Sequence, residues 1–437
     1  MGIVYTRPSS CSEDAKITLD NTIMVATKTL KNVITPRTAM GVAADDGLLA
    51  LVYGQNDSGA VVPNIDILDR GGRYYTLTGN WRLMHPGVVL YDHRLIILGG
   101  VNSQGVADNM TVKYPLREAI VGELSESRQL MHKLQAPRYA PNVVVCDNKI
   151  ITLGGVKSDM SPAYEVDSHT ILNAGETNTD GYTTLERLDL GRSFAGCNTI
   201  NNKGFIIAGG VDLANEVVYN SVEFYGFESN GNVSHMPLES LAVSQLSPLA
   251  VKLYSYGTSY VLIGLGKTLP TSQSAHVVPN IDVYVSAAGG NTGLSQIQTS
   301  RYETFTLPLN GNPTSAIGFS FGDCVLFIVG YGDGVTKNKG YLVRKNFRAT
   351  YVETMEFNFS RDNMQGGVIG NDIAYIAGGT KNGQSTGDVE MIQVLRNMPI
   401  YSGMKYKLGS MTSEETASSL TLHPLNDGYK LSGYMKL

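Results

Sequence analysis

Short apolar runs along this chain end at Gly54, Gly99, Gly154, Gly209, Gly264, Gly330, Gly378 and, more weakly, Gly433, at spacings of 45 to 66 residues. In four of them a second glycine follows at once: Gly100, Gly155, Gly210 and Gly379. Self-similarity at such a period marks one supersecondary unit used over and over. Each unit reads as strand, turn, strand ending in glycine, loop, strand, turn, strand. A lone four-stranded sheet cannot bury both of its faces. Stacking such sheets radially around an axis buries each face against a neighbour, which is a β-propeller. The expectation is an all-β chain forming a single propeller domain over residues 1–437, with the glycines in structural roles.

Other features keep register with the glycine. An arginine stands 17 residues earlier at Arg37, Arg82, Arg192 and Arg361, and 16 earlier at Arg138. Small residues follow it, as in Arg192, Ser193, Phe194, Ala195 and Gly196. The hexapeptide VVPNID appears after two of the glycines, at residues 61–66 and 277–282.

These units resemble kelch repeats. The resemblance rests on the arginine with its small-residue segment, the apolar run into Gly-Gly, and a later Asn-x-Val-x-x-Tyr strand, here Asn220, Val222 and Tyr225. It covers nearly the whole chain and is clean in the second, third, fourth and seventh units. The first, fifth and sixth depart from it, and the tryptophan that usually ends a kelch unit stands at most at Trp81. In kelch domains that bind peptides, arginines at comparable places and the loops after Gly-Gly line one shallow mouth. In the oxidase branch of such propellers a copper is held by Tyr and His, with a Tyr joined to Cys. No residue here maps onto those ligands.

The eighth glycine, Gly433, lies so near the end of the sequence that its unit lacks two strands. Residues 15–32 alternate like strands ahead of the first arginine. The expectation is an eight-bladed ring, with seven blades as the alternative. Residues 37–413 then hold seven full repeats, 414–437 a half repeat completing the last blade, and 15–32 the closing strands.

Composition narrows the function classes. Charged residues are 17% and apolar residues 42%, enough for a core and too little charge for disorder. A formal charge of -5 disfavours a nucleic-acid partner. No apolar run reaches the ~18 residues of a membrane helix, and the first residues lack a signal-peptide pattern. Gly2 with Thr6 matches only a loose myristoylation pattern. A cytoplasmic or virion-associated protein is expected. Cys11, Cys146, Cys197 and Cys324 form no CxxC pair, so neither zinc nor a disulfide framework is indicated.

Catalytic signatures fail on context. Gly318, Ser320 and Gly322 spell GxSxG, but the segment runs from strand to strand where a nucleophile elbow needs a helix. Gly266, Lys267 and Thr268 end like a phosphate loop, yet Val261 holds the place of its first glycine. The seven histidines (His85, His93, His132, His169, His235, His276 and His423) show no HxH or HExxH spacing. No cofactor or metal is expected.

What remains is the arginine set. Arg37, Arg82, Arg138, Arg192 and Arg361 each precede a first strand and should share one face with the loops after the glycines. Guanidinium groups there would grip carboxylates on a partner, or would brace neighbouring blades through backbone carbonyls and acids. The variable loops, above all residues 267–280, are where specificity is expected. Residues 286–306 lengthen the fifth unit as a candidate lid or partner arm. The favoured reading is a non-catalytic scaffold docking a protein, with an acidic segment as the fitting partner. The alternatives are a structural or adhesin-like subunit of a larger assembly such as a viral or phage particle, reading a glycan or surface receptor, and a carbohydrate-active or oxidase propeller.

Overall fold

The computed structural model describes residues 4–6, 23–31, 34–45, 47–78, 81–91, 94–116, 129–170, 181–228, 233–268, 276–286, 299–345, 349–396, 405–407, 420–424 and 434–435. Its named elements are all strands. No helix among these residues is long and apolar enough to cross a membrane.

Each repeat folds into one antiparallel sheet. Blade one is Gly41–Asp45, Leu48–Val52, Asn64–Asp69 and Tyr74–Thr78 in spatial order. Blade two follows with Gly87–Tyr91, Arg94–Val101, Ala107–Pro115 and Gln129–Leu130, and blade three with Asn142–Cys146, Lys149–Leu153, Val166–Thr170 and Tyr182–Thr184. Blade four uses Gly196–Asn201, Gly204–Ala208, Val222–Phe227 and Val233–Leu238. Blade five uses Leu249–Ser255, Thr258–Gly264, Asn280–Ser286 and Thr299–Thr306. Blade six is Ser315–Ser320, Cys324–Gly330, Lys339–Lys345 and Thr350–Glu356.

Burial along each blade follows its distance from the axis. The second strand is buried on both faces, and in Gly204–Ala208 and Ile373–Ala377 it is apolar throughout. The outer strand Thr299–Thr306 alternates half-buried with exposed residues, as a strand with one wet face should. Because side chains of a strand point alternately to opposite faces, Phe205 and Ile207 pack toward blade three while Ile206 and Ala208 pack toward blade five. The buried apolar residues fall into seven clusters, and each lies between two successive blades.

Near the axis the inner strands crowd one another. A Cβ added to Gly87 would come within 2.7 Å of the Val143 side chain of the next blade. The small residues ahead of each first strand are therefore a packing requirement.

The ring has seven blades, not eight. The first strand of the seventh sheet, Gln365–Ile369, already packs against Gly41–Asp45 of blade one, so the circle is closed without a further sheet. Blade seven takes Gln365–Ile369, Ile373–Ala377 and Val389–Arg396 from its own repeat, and its fourth strand is Ile23–Leu30. Among the described residues that N-terminal segment thus supplies one strand to the blade where two were expected. Leu420–Pro424 pairs with its free edge and Tyr434–Met435 extends the sheet, so the last half repeat adds outer strands instead of a blade. Gly433 lies outside the described residues.

Ile23–Leu30 is held by backbone bonds to Val389–Arg396 and by Val25, which is fully buried between blades six and seven. Val25→Asp places an unpaired carboxylate there and should lower stability by about 3 kcal/mol or more. The urea midpoint measures it, and an unchanged midpoint would contradict closure by this strand.

Candidate functional site

The two ends of the ring differ in construction. The hairpins joining first to second and third to fourth strands lie at one end. The loops from second to third strand and the crossings between blades lie at the other, here termed the crown. Single bridges tie the lead-in of a blade to the loop after its glycines, at Thr38–Gln55, Met84–Val101, Tyr139–Val156, Ser193–Val211, Leu246–Lys267 and Asp362–Thr380. The arginine segments and the post-glycine loops therefore do share one face.

The guanidinium groups turn inward from that face. The position four residues ahead of each first strand is Arg37, Leu83, Arg138, Arg192, Gln245, Gly311 and Arg361 around the ring. Across the sheet, the third strand offers Asp66, Val112, Asp167, Glu223, Asp282, Lys339 and Glu390 at the matching register. Where both are charged they pair inside the blade. Arg37 Nη1 lies 2.7 Å from Asp66, Arg361 Nη2 lies 3.0 Å from Glu390, and Arg138 and Arg192 pair with Asp167 and Glu223. All four arginines are almost wholly buried. Each also donates to a carbonyl of its own blade, Leu51 at 3.0 Å, Thr152 at 3.1 Å, Gly209 at 3.1 Å and Asp388 at 2.9 Å. Burial pulls Arg37, Arg192 and Arg361 down from the ordinary guanidinium range, against the pull of their acids.

The backbone of this position ties blade to blade. The Arg138 carbonyl accepts the Gly100 N–H of the preceding blade at 3.0 Å, that of Arg192 accepts Gly155 at 3.0 Å, and that of Gln245 accepts Gly210 at 2.8 Å. Gly209 shows why glycine sits there: its φ is 62°, and a Cβ would stand 2.7 Å from the Gln245 carbonyl oxygen.

Arg82 does not belong to the set. It is exposed, and Leu83 occupies the bracing position in the core between blades one and two. Arg82 stands 17 residues before Gly99, as Arg192 and Arg361 stand before Gly209 and Gly378, but the first hairpin of blade two is one residue shorter than theirs, which moves its bracing position on to Leu83. In blade one Tyr53, at φ 56°, holds the place of the first glycine. Leu83 faces Val112, so blade two lacks both ends of the pair. In blade five Gln245 replaces the arginine, and Asp282 instead has Arg301 Nη1 at 3.5 Å. Gly264 stands one place before the positive-φ position of blade five, which is Leu265 at φ 57°.

Two residues beyond the bracing position, Ala39, His85, Ala140, Phe194, Ser247 and Asn363 all take positive φ between 47° and 56°. Backbone bonds link them in a belt: His85 N–H to Ala39 O, Ala140 N–H to His85 O and Ser247 N–H to Phe194 O, each 2.8 Å. Inside the belt lies an axial cavity of about 620 Å³ to which all seven blades contribute. His85, Phe194, Ser247, Lys267 and Asn363 line it, and no carboxylate does. The His85 ring meets Phe194 edge-on at 6.3–6.4 Å spacing from its aromatic neighbours Tyr139 and Phe194, and burial pushes its pKa down. These lining residues escaped sequence reasoning. The signal was the fixed offset of two from the bracing position, with side chains too varied to look like a motif.

Among the described residues one cluster has metal-ligand types, Asp189, Glu223 and His235. It does not fit a cation. One Glu223 oxygen is taken by Arg192, and the other accepts from Asp189 N–H at 3.0 Å and lies 2.9 Å from His235 Nε2.

No family model and no curated protein matches the chain. Solved structures do resemble it in fold. YjhT aligns at a TM-score of 0.52 with 12% identity, over 73% of this chain and 98% of its own. A fungal alcohol oxidase of the AA5 family, in complex with copper, aligns at 0.56 with 14% identity, over 84% of this chain and 75% of its own. At these identities the likeness shows the propeller fold and nothing more.

Arg138→Ala should cost about 3–5 kcal/mol by stranding Asp167, whereas Arg82→Ala should stay within about 0.5 kcal/mol. The double change Arg138→Leu with Asp167→Val, which copies blade two, should recover much of the loss in a denaturant cycle. Since His85 titrates lower folded than unfolded, the unfolded chain binds more protons below about 6.5. Stability should therefore fall as pH drops through that value toward the depressed folded pKa, and His85→Gln should remove that part of the thermal-midpoint decline.

Proposed function

We propose that this chain is a non-catalytic binding module that docks a protein partner on the crown, around the mouth of the axial cavity. The observation that carries this reading is the placement of exposed apolar side chains. Val106, Met160, Tyr164, Leu190, Val217 and Val335 all stand on crown loops of blades two, three, four and six, each 38% exposed or more. They are six of the thirteen large apolar residues exposed among the described residues, the others lying on outer strands and at the first hairpin of blade five, and apolar groups that recur on one loop face favour a contact surface there.

Rigidity supports the same reading. The Asn56 side chain accepts from Ser58 and Ala60 N–H, Asn102 from Gln104 and Val106 N–H, and Asp333 from Val335 and Thr336 N–H, all at 2.9–3.1 Å. Preformed loops lose little entropy on binding. With the four bracing arginines buried, an acidic side chain of the partner would be met by Lys267 in a cavity lining free of carboxylates. The copper-bound oxidase neighbour raises a catalytic alternative, but the ligand-type cluster at Glu223 is engaged by Arg192 and lies outside the axial lining.

The test is capture of partner from the native source by the full chain. Val106→Asp, Met160→Asp and Val217→Asp combined should reduce capture at least about tenfold, since charge in an apolar contact centre is strongly unfavourable, while each surface change leaves the thermal midpoint nearly unmoved. Undiminished capture would count against the crown.

A further inference from the structure

The first strands of the seven blades ring the axis, and they are almost without charge. Across Gly41–Asp45, Gly87–Tyr91, Asn142–Cys146, Gly196–Asn201, Leu249–Ser255, Ser315–Ser320 and Gln365–Ile369 the charged residues are Asp45 and Lys252. Asp45 is exposed at the hairpin end of its strand in blade one. Lys252 stands in the middle of its strand in blade five and is half-buried.

The surroundings of Lys252 hold no counter-ion. It pairs in register with Val261. Alternation puts it on the strand face of Ala250, which packs against blade four. The facing first strand of blade four, Gly196–Asn201, carries no charged residue. Other lysines of intermediate exposure or less do have acids: Lys149, Lys157 and Lys345 reach Asp147, Glu165 and Glu303 at 3.0, 3.0 and 2.6 Å. Burial pulls the Lys252 amine below the ordinary lysine range, and the ionisable group that acts on it is Cys146 of blade three. That thiol is itself pushed up to about 12 by burial, so it stays uncharged near neutral pH. Donors do not gather there for an anion either. The Asn198 amide, the polar group of the seam, gives Nδ2 to the Ala250 carbonyl at 2.9 Å and accepts the Thr199 N–H on Oδ1 at 2.8 Å. Ile200 and Val261 are fully buried apolar walls of the same seam.

A partly desolvated ammonium without an acid lowers its cost by shedding a proton, and the free amine that results is a nucleophile. We propose that Lys252 captures a small aldehyde or ketone as an imine, beside the axis in the seam between blades four and five. The nitrogen lone pair adds to the carbonyl carbon, the C=O bond gives way to C=N, and the oxygen leaves as water carrying both amine protons. Apolar Ala250, Ile200 and Val261 suit a short aliphatic carbonyl compound, and half-exposure leaves the amine within its reach. Such capture is stoichiometric binding and does not depend on the crown reading.

Reductive trapping reads the adduct. The full chain is incubated at neutral pH with propanal and cyanoborohydride, which fixes an imine as a propylamine, and peptide mass spectrometry follows each lysine. Lys252 should be labelled at least about threefold faster than the exposed Lys133 and Lys203, because more of its amine is unprotonated. The preference should vanish in urea, where the three amines are solvated alike. Lys252→Met should remove the fast phase without lowering the thermal midpoint, since no ion pair is broken. Labelling of Lys252 no faster than Lys133 and Lys203 overturns the proposal, as does a fast phase that survives in Lys252→Met.

Discussion

Everything in this ring hangs on how a buried guanidinium is shared between sheets. The arginine side chain reaches into its own blade, to a second-strand carbonyl and a third-strand acid. Its backbone carbonyl meanwhile accepts an N–H from the blade before. One residue thus fixes a blade internally and sets its distance from a neighbour. Buried in a low-dielectric setting, such a pair is strong only while both members are present, and half a pair is costly. The ring obeys that rule: Leu83 comes with Val112, and Asp282, deprived of an arginine at position 245, is served by Arg301 from the outer strand. A brace is dropped whole or repaired from elsewhere.

Much of this was legible in advance because a propeller repeats its local demands. The apolar run into glycine marks a strand buried on both faces, and the small residues before the first strand mark crowding at the axis. Blade number was not legible, because the last repeat is spelled like a blade yet its strands add to an edge. Whether a half repeat becomes a sheet or a border is decided by whether the circle is already full, which no local pattern encodes. Arg82 misled for a related reason. Its distance from Gly99 equals that of Arg192 and Arg361 from their glycines, and only the strand bounds reveal that the first hairpin of blade two is one residue shorter. The inward turn of the arginines was invisible too, since their acids lie 29 to 31 residues away on another strand.

The lining of the axial cavity was the least legible part. The axial residues share an offset but no chemistry, ranging from Ala39 to Phe194, so they carry no motif to find. What unites them is a left-handed backbone turn imposed by the belt of inter-blade bonds. The scaffold fixes where those side chains point and leaves their identity free. That separation lets a rigid ring vary its axial surface without altering how it folds.

The N-terminal strand in blade seven has a consequence for synthesis. Ile23–Leu30 leaves the ribosome before any of its partners, and Val389–Arg396 emerges more than 350 residues later. Until then the strand is an apolar ribbon with unsatisfied edges, and blade seven has nothing to complete it. The circle is thus shut by a pairing between the two ends of the chain, the kind of long-range contact that forms slowly. Six sheets can assemble as they are made, whereas the seam waits for the whole. The same seam is where a pulled or heated ring should part first, a latch rather than another link.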